Sequence, residues 1–214
     1  MQRLRISFGR GAPVRFISHL DTMRCWERVF RRAAIPIEYT QGFTPHPKIA
    51  VAAPLAVGFT GEAELMDVWL RKWMPPDALI MMTRRQLPAG FSVHSAREVP
   101  ESLPSLQSVV CAGRYHCVAF HPGGPAAAEA AVRSFLEAPS FDFQYERAGV
   151  EKRQDLRPLV QELTVAAGDA GTCVVDMLVT LGQEGGARPD HVLSALGFTE
   201  PFESIHRTSL SLAS

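Results

Sequence analysis

Two histidines and a group of cations near the start of the chain supply the residue types that phosphodiester chemistry requires. His19 opens a helical pattern, and His46 stands between Pro45 and Pro47 in the stretch Q-G-F-T-P-H-P-K, residues 41–48. A pair of imidazoles can serve as general acid and general base. Cations such as Arg15, Arg24 and Lys48 can stabilise the negative charge that develops. Together they would perform metal-free RNA cleavage, the catalytic reading, with His19 and His46 as its candidates. The same residues also serve plain recognition. Arg15, Arg24, Arg28 and Lys48 would contact an anion, Gln41, Thr44 and His46 would read polar groups, and Phe43 would stack on a base. Non-catalytic recognition of an anionic ligand, RNA first among them, is the leading expectation. An RNA-processing or RNA-modifying enzyme is the alternative, and a protein–protein adaptor is the third reading.

Other chemistries find less footing. His19, His46, Asp21 and Asp67 include no ligand spacing such as H-E-x-x-H, so no metal is expected, and no cofactor either. The chain has no G-x-x-x-x-G-K-[ST] phosphate loop and no G-x-S-x-G elbow. Its cysteines, at 25, 111, 117 and 173, form no C-x-x-C pair and no three-cysteine cluster for an iron–sulfur centre. They read as reduced and mostly buried.

The charge distribution favours an anion. Residues 1–50 hold nine Lys or Arg against three acids, a local charge of +6, whereas the whole chain nets zero. Such asymmetry predicts a positive field around the first quarter of the sequence. The elements that would position it follow. Ser18 and Asp21 form a capping box at the start of a helix. Leu20, Met23, Trp26, Phe30 and Ala33 recur at helical spacing as its apolar stripe, with Arg24, Arg28, Arg31 and Arg32 on another side. Glu27 is placed to pair with Arg31. Ile37–Thr40 reads as a short strand, and the proline-stiffened loop follows, with Gly42 free to take angles other residues resist.

Long stretches here resemble a known family. R-F-I-S-H-L-D-x-x-R (Arg15 to Arg24), Y-x-Q-G-F-x-P-H-P-K-I (Tyr39 to Ile49), P-L-x-V-G (Pro54 to Gly58) and E-x-E-x-x-D-V (Glu62 to Val68) resemble DUF2344, a family of radical SAM-linked proteins. The resemblance implies a module found alone or fused behind a cobalamin-binding radical SAM protein. That protein is the implied partner, and its substrate is a second possible ligand.

The rest of the chain bounds the fold. With 46% hydrophobic and 21% charged residues it can bury a sizeable core. The N-terminus lacks the apolar run of a signal peptide, and no stretch reaches membrane-spanning length, so a cytoplasmic protein is expected. Leu4, Ile6 and Phe8 alternate with Arg3, Arg5 and Ser7 as a half-buried strand. Asp67 interrupts an apolar strand over Glu62–Leu70 and suggests a structural salt bridge. Pro75-Pro76-Asp77 starts a second helix, and Phe91, Val93 and Ser95 begin a further strand. The order β-α-β-β-α-β is the ferredoxin-like arrangement. A similar order recurs after Pro100–Ser108. The expected fold is therefore α+β: two ferredoxin-like halves with antiparallel sheets, 1–99 and 109–214, joined by a linker at 100–108.

Overall fold

The computed structural model describes residues 1–182 and 185–213. The architecture is mixed α+β. The chain divides into two compact units, Met1–Val110 with the C-terminal end from Leu212, and Cys111–Ser211. Among the described residues no helix is long and apolar enough to cross a membrane.

The first unit runs β1 (Gln2–Arg10), α1 (His19–Arg32), β2 (Ile49–Val51), β3 (Thr60–Leu70), α2 (Pro76–Arg84), β4 (Phe91–Val99) and a short α3 (Leu106–Val109). Its strands lie in the order β4-β1-β3-β2, each neighbouring pair antiparallel. Period-2 alternation sends Leu4, Ile6, Phe8, Met66, Val68 and Leu70 to one face, where they pack with Trp26, Phe30 and Leu79 of the helices. Trp26 is the centre of this core. Its ring lies 5.1 Å from Phe8, 5.5 Å from Phe30 and 5.7 Å from Phe91.

The opposite face of β1 was expected to be half-exposed and basic. The structure buries it instead. Arg3 and Arg5 are 2% and 7% exposed and both bind Asp67, which is fully buried on the neighbouring β3. A central strand has neighbours on both edges, and α3 with its approach covers this face: Arg3 also donates to the carbonyls of Leu103 and Pro104, at 2.6 and 2.8 Å. Pro100–Ser108 thus lies inside the first unit's boundary and carries the fully buried Leu106.

Arg10, at the end of β1, is 2% exposed. Its guanidinium donates to the carbonyls of Val14, Arg15, Ile17 and Leu55. Through these bonds it fixes the turn that delivers the chain to α1.

The second unit runs β5 (Val110–Phe120), α4 (Gly124–Glu137), a hairpin β6 (Asp142–Arg147) and β7 (Val150–Asp155), then β8 (Val160–Ala167), β9 (Thr172–Thr180), α5 (Pro189–Ala195) and β10 (Thr199–Leu212). Four strands lie in the order β10-β5-β9-β8, and β6-β7 form a separate two-stranded sheet. Cys117, Val175, Met177 and Val179 are fully buried, as are Ala128 and Phe135 of α4 and Val192 and Leu193 of α5. All four cysteines are free thiols, with Cys117 and Cys173 buried and Cys25 and Cys111 half-buried.

Two expected elements differ. Ile37–Thr40 forms only isolated bridges, Ile37 with Leu70 and Tyr39 with Pro47. Pro47 has no N–H to extend a ladder, so the pairing stops there. Leu156–Ala166, which reads in sequence as a strand pair or a bent strand, begins with a single helical turn, Arg157–Leu159, before the single strand β8.

Candidate nucleic-acid interface

Helix α1 is built by its ends. Ser18 is the N-cap in extended conformation, and its hydroxyl accepts from the Asp21 amide at 3.1 Å and donates to the Asp21 carboxylate at 2.7 Å. Hydrogen bonding by Ser18, reinforced by the charge of Arg24, holds the Asp21 carboxyl below its ordinary range. At the other end Ala34 takes φ +53°, the Ala34 amide donates to Arg31 at 3.1 Å, and the Ile35 amide donates to Phe30 at 3.0 Å. This is a Schellman closure with alanine where glycine is usual. It turns the chain back so that 35–39 runs beside the helix.

The buried face of α1 is Thr22, Trp26, Val29, Phe30 and Ala33. Leu20, expected in that stripe, is 57% exposed. At about 100° per residue Leu20 falls one turn before Arg24, on the cationic side. Arg24, Arg28, Arg31 and Arg32 share that solvent-facing side and are all exposed. Arg24 is partly engaged, with Nη1 at 3.5 Å from Asp21. Arg28 and Arg32 act on Cys25: burial pushes that thiol's pKa up, and the two guanidinium charges oppose the rise. Glu27 and Arg31, expected to pair, form no ion pair in the described structure.

The loop after α1 is held at its base and free at its tip. The Thr40 amide donates to the His46 carbonyl at 2.8 Å, and the His46 amide donates to Thr40 Oγ1 at 3.0 Å. Below this clamp the Lys48 amide donates to Glu38 at 2.7 Å, and Lys48 Nζ lies 4.7 Å over the Trp69 ring. Above it Gln41, Gly42, Phe43, Thr44 and Pro45 are all exposed, with Gly42 at φ +133°. Phe43 presents its whole surface to solvent, at 110% of the reference value. An aromatic ring with no packing partner on a loop clamped at its base is shaped for contact with something outside the chain.

Between the C-terminal half of α1 and the segment 34–39 lies a cleft of about 590 Å³. Arg31, Arg71, Lys72, Tyr39, Glu27 and Pro47 contribute to its walls. The Arg71 amide donates to the Pro36 carbonyl at 2.8 Å, which places Arg71 and Lys72 opposite the helix. Arg31, Arg71 and Lys72 form no ion pair among the described residues. Three free cations against one carboxylate, with the 41% exposed ring of Tyr39 beside them, make a cationic aromatic groove. Tyr39, Arg71 and Lys72 were not among the residues expected from sequence.

The expected residues are distributed as follows. Lys48, Thr44, Phe43, Gln41 and His46 belong to the loop next to the cleft, which Pro47 borders. Arg28 lies on the exposed side of α1, and Arg24 lies toward its N-terminal end. Arg15 is farther back, its guanidinium 4.7 Å over the exposed Phe16 ring. His19 stands at the N-terminal end of α1, where partial burial and then the charge of Arg10 keep its pKa low. His46 is tied to Thr40 by the loop clamp, and that clamp borders the other end of the helix. Of the nine cations in residues 1–50, Arg3, Arg5 and Arg10 are buried, so the field outside comes from the other six. Among the described residues no cluster of three or more His, Cys, Asp or Glu is placed to hold a metal.

Fold and site together define an α+β protein that carries an unpaired cationic groove beside an exposed loop. By sequence the chain belongs to the DUF2344 family, described as an uncharacterized protein conserved in bacteria, whose family model matches residues 3–189. No curated protein matches it. Among solved structures it is similar to a chain of a Cbf5–Nop10–Gar1 complex, with TM-score 0.51 and 9% identity over 98% of this chain and 48% of that one. This chain therefore spans about half the length of that chain, and the likeness is one of fold.

Proposed function

We propose that the first unit is a non-catalytic recognition module for single-stranded RNA. The observation that carries this reading is the groove in which Arg31, Arg71 and Lys72 stand without carboxylate partners beside Tyr39. Cations without partners suit phosphates, and an aromatic wall suits an unstacked base. The adjoining loop extends the contact beyond one nucleotide, with Phe43 as a second stacking ring and Gln41, Thr44 and His46 as polar readers. Arg28 and Lys48 add charge along the same side. A small anion would need the groove alone and would leave the loop unexplained.

Each unit reads as a ferredoxin-like layout, since both share the strand order 4-1-3-2, with the hairpin β6-β7 inserted in the second. The partner is a cobalamin-binding radical SAM protein, to which this module would present RNA as substrate. The free thiols suit a cytoplasmic setting.

The test is fluorescence anisotropy with a labelled single-stranded RNA, comparing wild type with Arg31→Ala/Arg71→Ala/Lys72→Ala. Binding by wild type and its weakening in the variant support the reading. Absence of wild-type binding even at low salt overturns it and leaves the adaptor reading, which a pull-down with the radical SAM protein would then examine.

A further inference from the structure

We infer that the second unit contains a pocket for a planar, uncharged nitrogen heterocycle, of the kind a nucleobase or free nucleoside presents. The hairpin β6-β7 is mostly polar, and its two aromatic residues share one face. Phe143 and Tyr145 lie on that face with ring centroids 6.3 Å apart and planes within 15°. Gln154 is paired directly opposite Phe143, so it shares the face. Helix α5 sets the His191 ring against both aromatics, 5.2 Å from Phe143 and 4.5 Å from Tyr145. Tyr145, Glu146, Gln154, Arg188 and His191 line an open cavity of about 530 Å³.

The polar groups of this cavity select its ligand. Arg188 is neutralised by Asp190, with Nε and Nη2 bound at 3.0 and 2.6 Å, so it is not free for a phosphate. Among the described residues Glu146 has no cationic partner and leaves the pocket an acceptor of N–H groups. The Gln154 amide nitrogen donates to the Gly186 carbonyl at 3.1 Å, which orients the side chain and keeps Oε1 as a second acceptor. His191 Nδ1 is buried without a hydrogen-bond partner among the described residues. A buried ring nitrogen without a partner disfavours the doubly protonated imidazolium, so the ring offers one N–H and one lone pair. Burial accordingly lowers the His191 pKa. Aromatic faces, carboxylate and amide acceptors and one imidazole N–H match a ring that stacks and offers N–H groups at its edge. The same set disfavours an anion, the opposite of the groove in the first unit.

The test uses the intact chain and the four common ribonucleosides, which carry no phosphate. Binding is followed by saturation-transfer NMR and calorimetry. At least one nucleoside is expected to bind, and Tyr145→Ala to weaken it about tenfold or more, with Tyr145→Phe retaining it. Glu146→Gln, at an exposed position, should weaken nucleosides that bear an amino group even if Tyr145→Ala fails to fold. Nucleoside binding that Tyr145→Ala weakens belongs to this site and not to the RNA groove, whose aromatic wall is Tyr39. No detectable nucleoside binding, or binding indifferent to both Tyr145→Ala and Glu146→Gln, overturns the inference.

Discussion

Replacing Asp67 should cost far more than replacing Arg5, although both changes remove the same two hydrogen bonds between them. Asp67 is fully buried and accepts from Nε and Nη2 of both Arg3 and Arg5. The cluster holds two guanidiniums and one carboxylate, a net +1. Asp67→Asn raises that to +2 in a buried site and turns an amide N–H₂ toward a guanidinium. The expected loss is about 3–5 kcal/mol, a large share of the roughly 5–15 kcal/mol that stabilises a domain. Arg5→Met leaves a neutral Arg3–Asp67 pair. It also relieves Arg5 of its directly opposed neighbour Arg97 on β4, so its cost should stay near 1 kcal/mol or about that. Arg3→Met should fall between, because the carbonyls of Leu103 and Pro104 lose their donor as well. Urea denaturation reads the series directly. With a slope of roughly 2 kcal/mol per molar, Asp67→Asn should lower the midpoint by about 2 M. Equal midpoints for Asp67→Asn and Arg5→Met would refute the charge argument.

Three further outcomes follow from the same structure. Ser18→Ala should destabilise by about 1 kcal/mol through loss of the α1 cap. Because the folded pKa of Asp21 is depressed below 3.8, the cap's contribution is complete above that value and lost as pH falls through the folded pKa, which urea midpoints in acid would follow. His19 and His191 both have folded pKa values below 6.5, so their neutral forms support the fold above that pH, and stability should drop on acidification beneath it. Midpoints measured from about pH 7.5 to 5.5 should fall for wild type and less steeply for His191→Gln. Ala34→Gly should stabilise by about 1 kcal/mol, since it relieves the positive φ that closes α1, and a raised urea midpoint would show it.

What the sequence made legible was local. The Ser18–Asp21 cap and the cationic side of α1 depend on residues three or four apart, and both stand as expected. Leu20 leaves the helical stripe because its angular position puts it among the arginines, and hydrophobicity alone does not carry that position. Asp67 drew notice as an acid in an apolar strand, but its partners lie more than sixty residues away, where spacing carries no signal. The hairpin strand β7, V-E-K-R-Q-D, has no apolar alternation and so left no strand pattern to find. The groove is half-visible in sequence: Arg31 and Pro47 belong to the cationic helix and the proline-stiffened loop. Tyr39 stands beside Pro47 through a local bridge, whereas Arg71 and Lys72 join them only through the Ile37–Leu70 bridge and the Arg71–Pro36 hydrogen bond. Non-local pairing of this kind has no periodicity to betray it.

The salt dependence of RNA binding tests the central claim most directly. Each phosphate contact to a single strand contributes a slope of about −0.7 in log K against log salt. If Arg31, Arg71 and Lys72 each hold a phosphate, the triple alanine variant should show a slope shallower by about 2 than wild type. Between about 50 and 200 mM salt, wild type should then lose roughly 20-fold more affinity than the variant. Parallel slopes for the two proteins would contradict the account and place the phosphate contacts elsewhere.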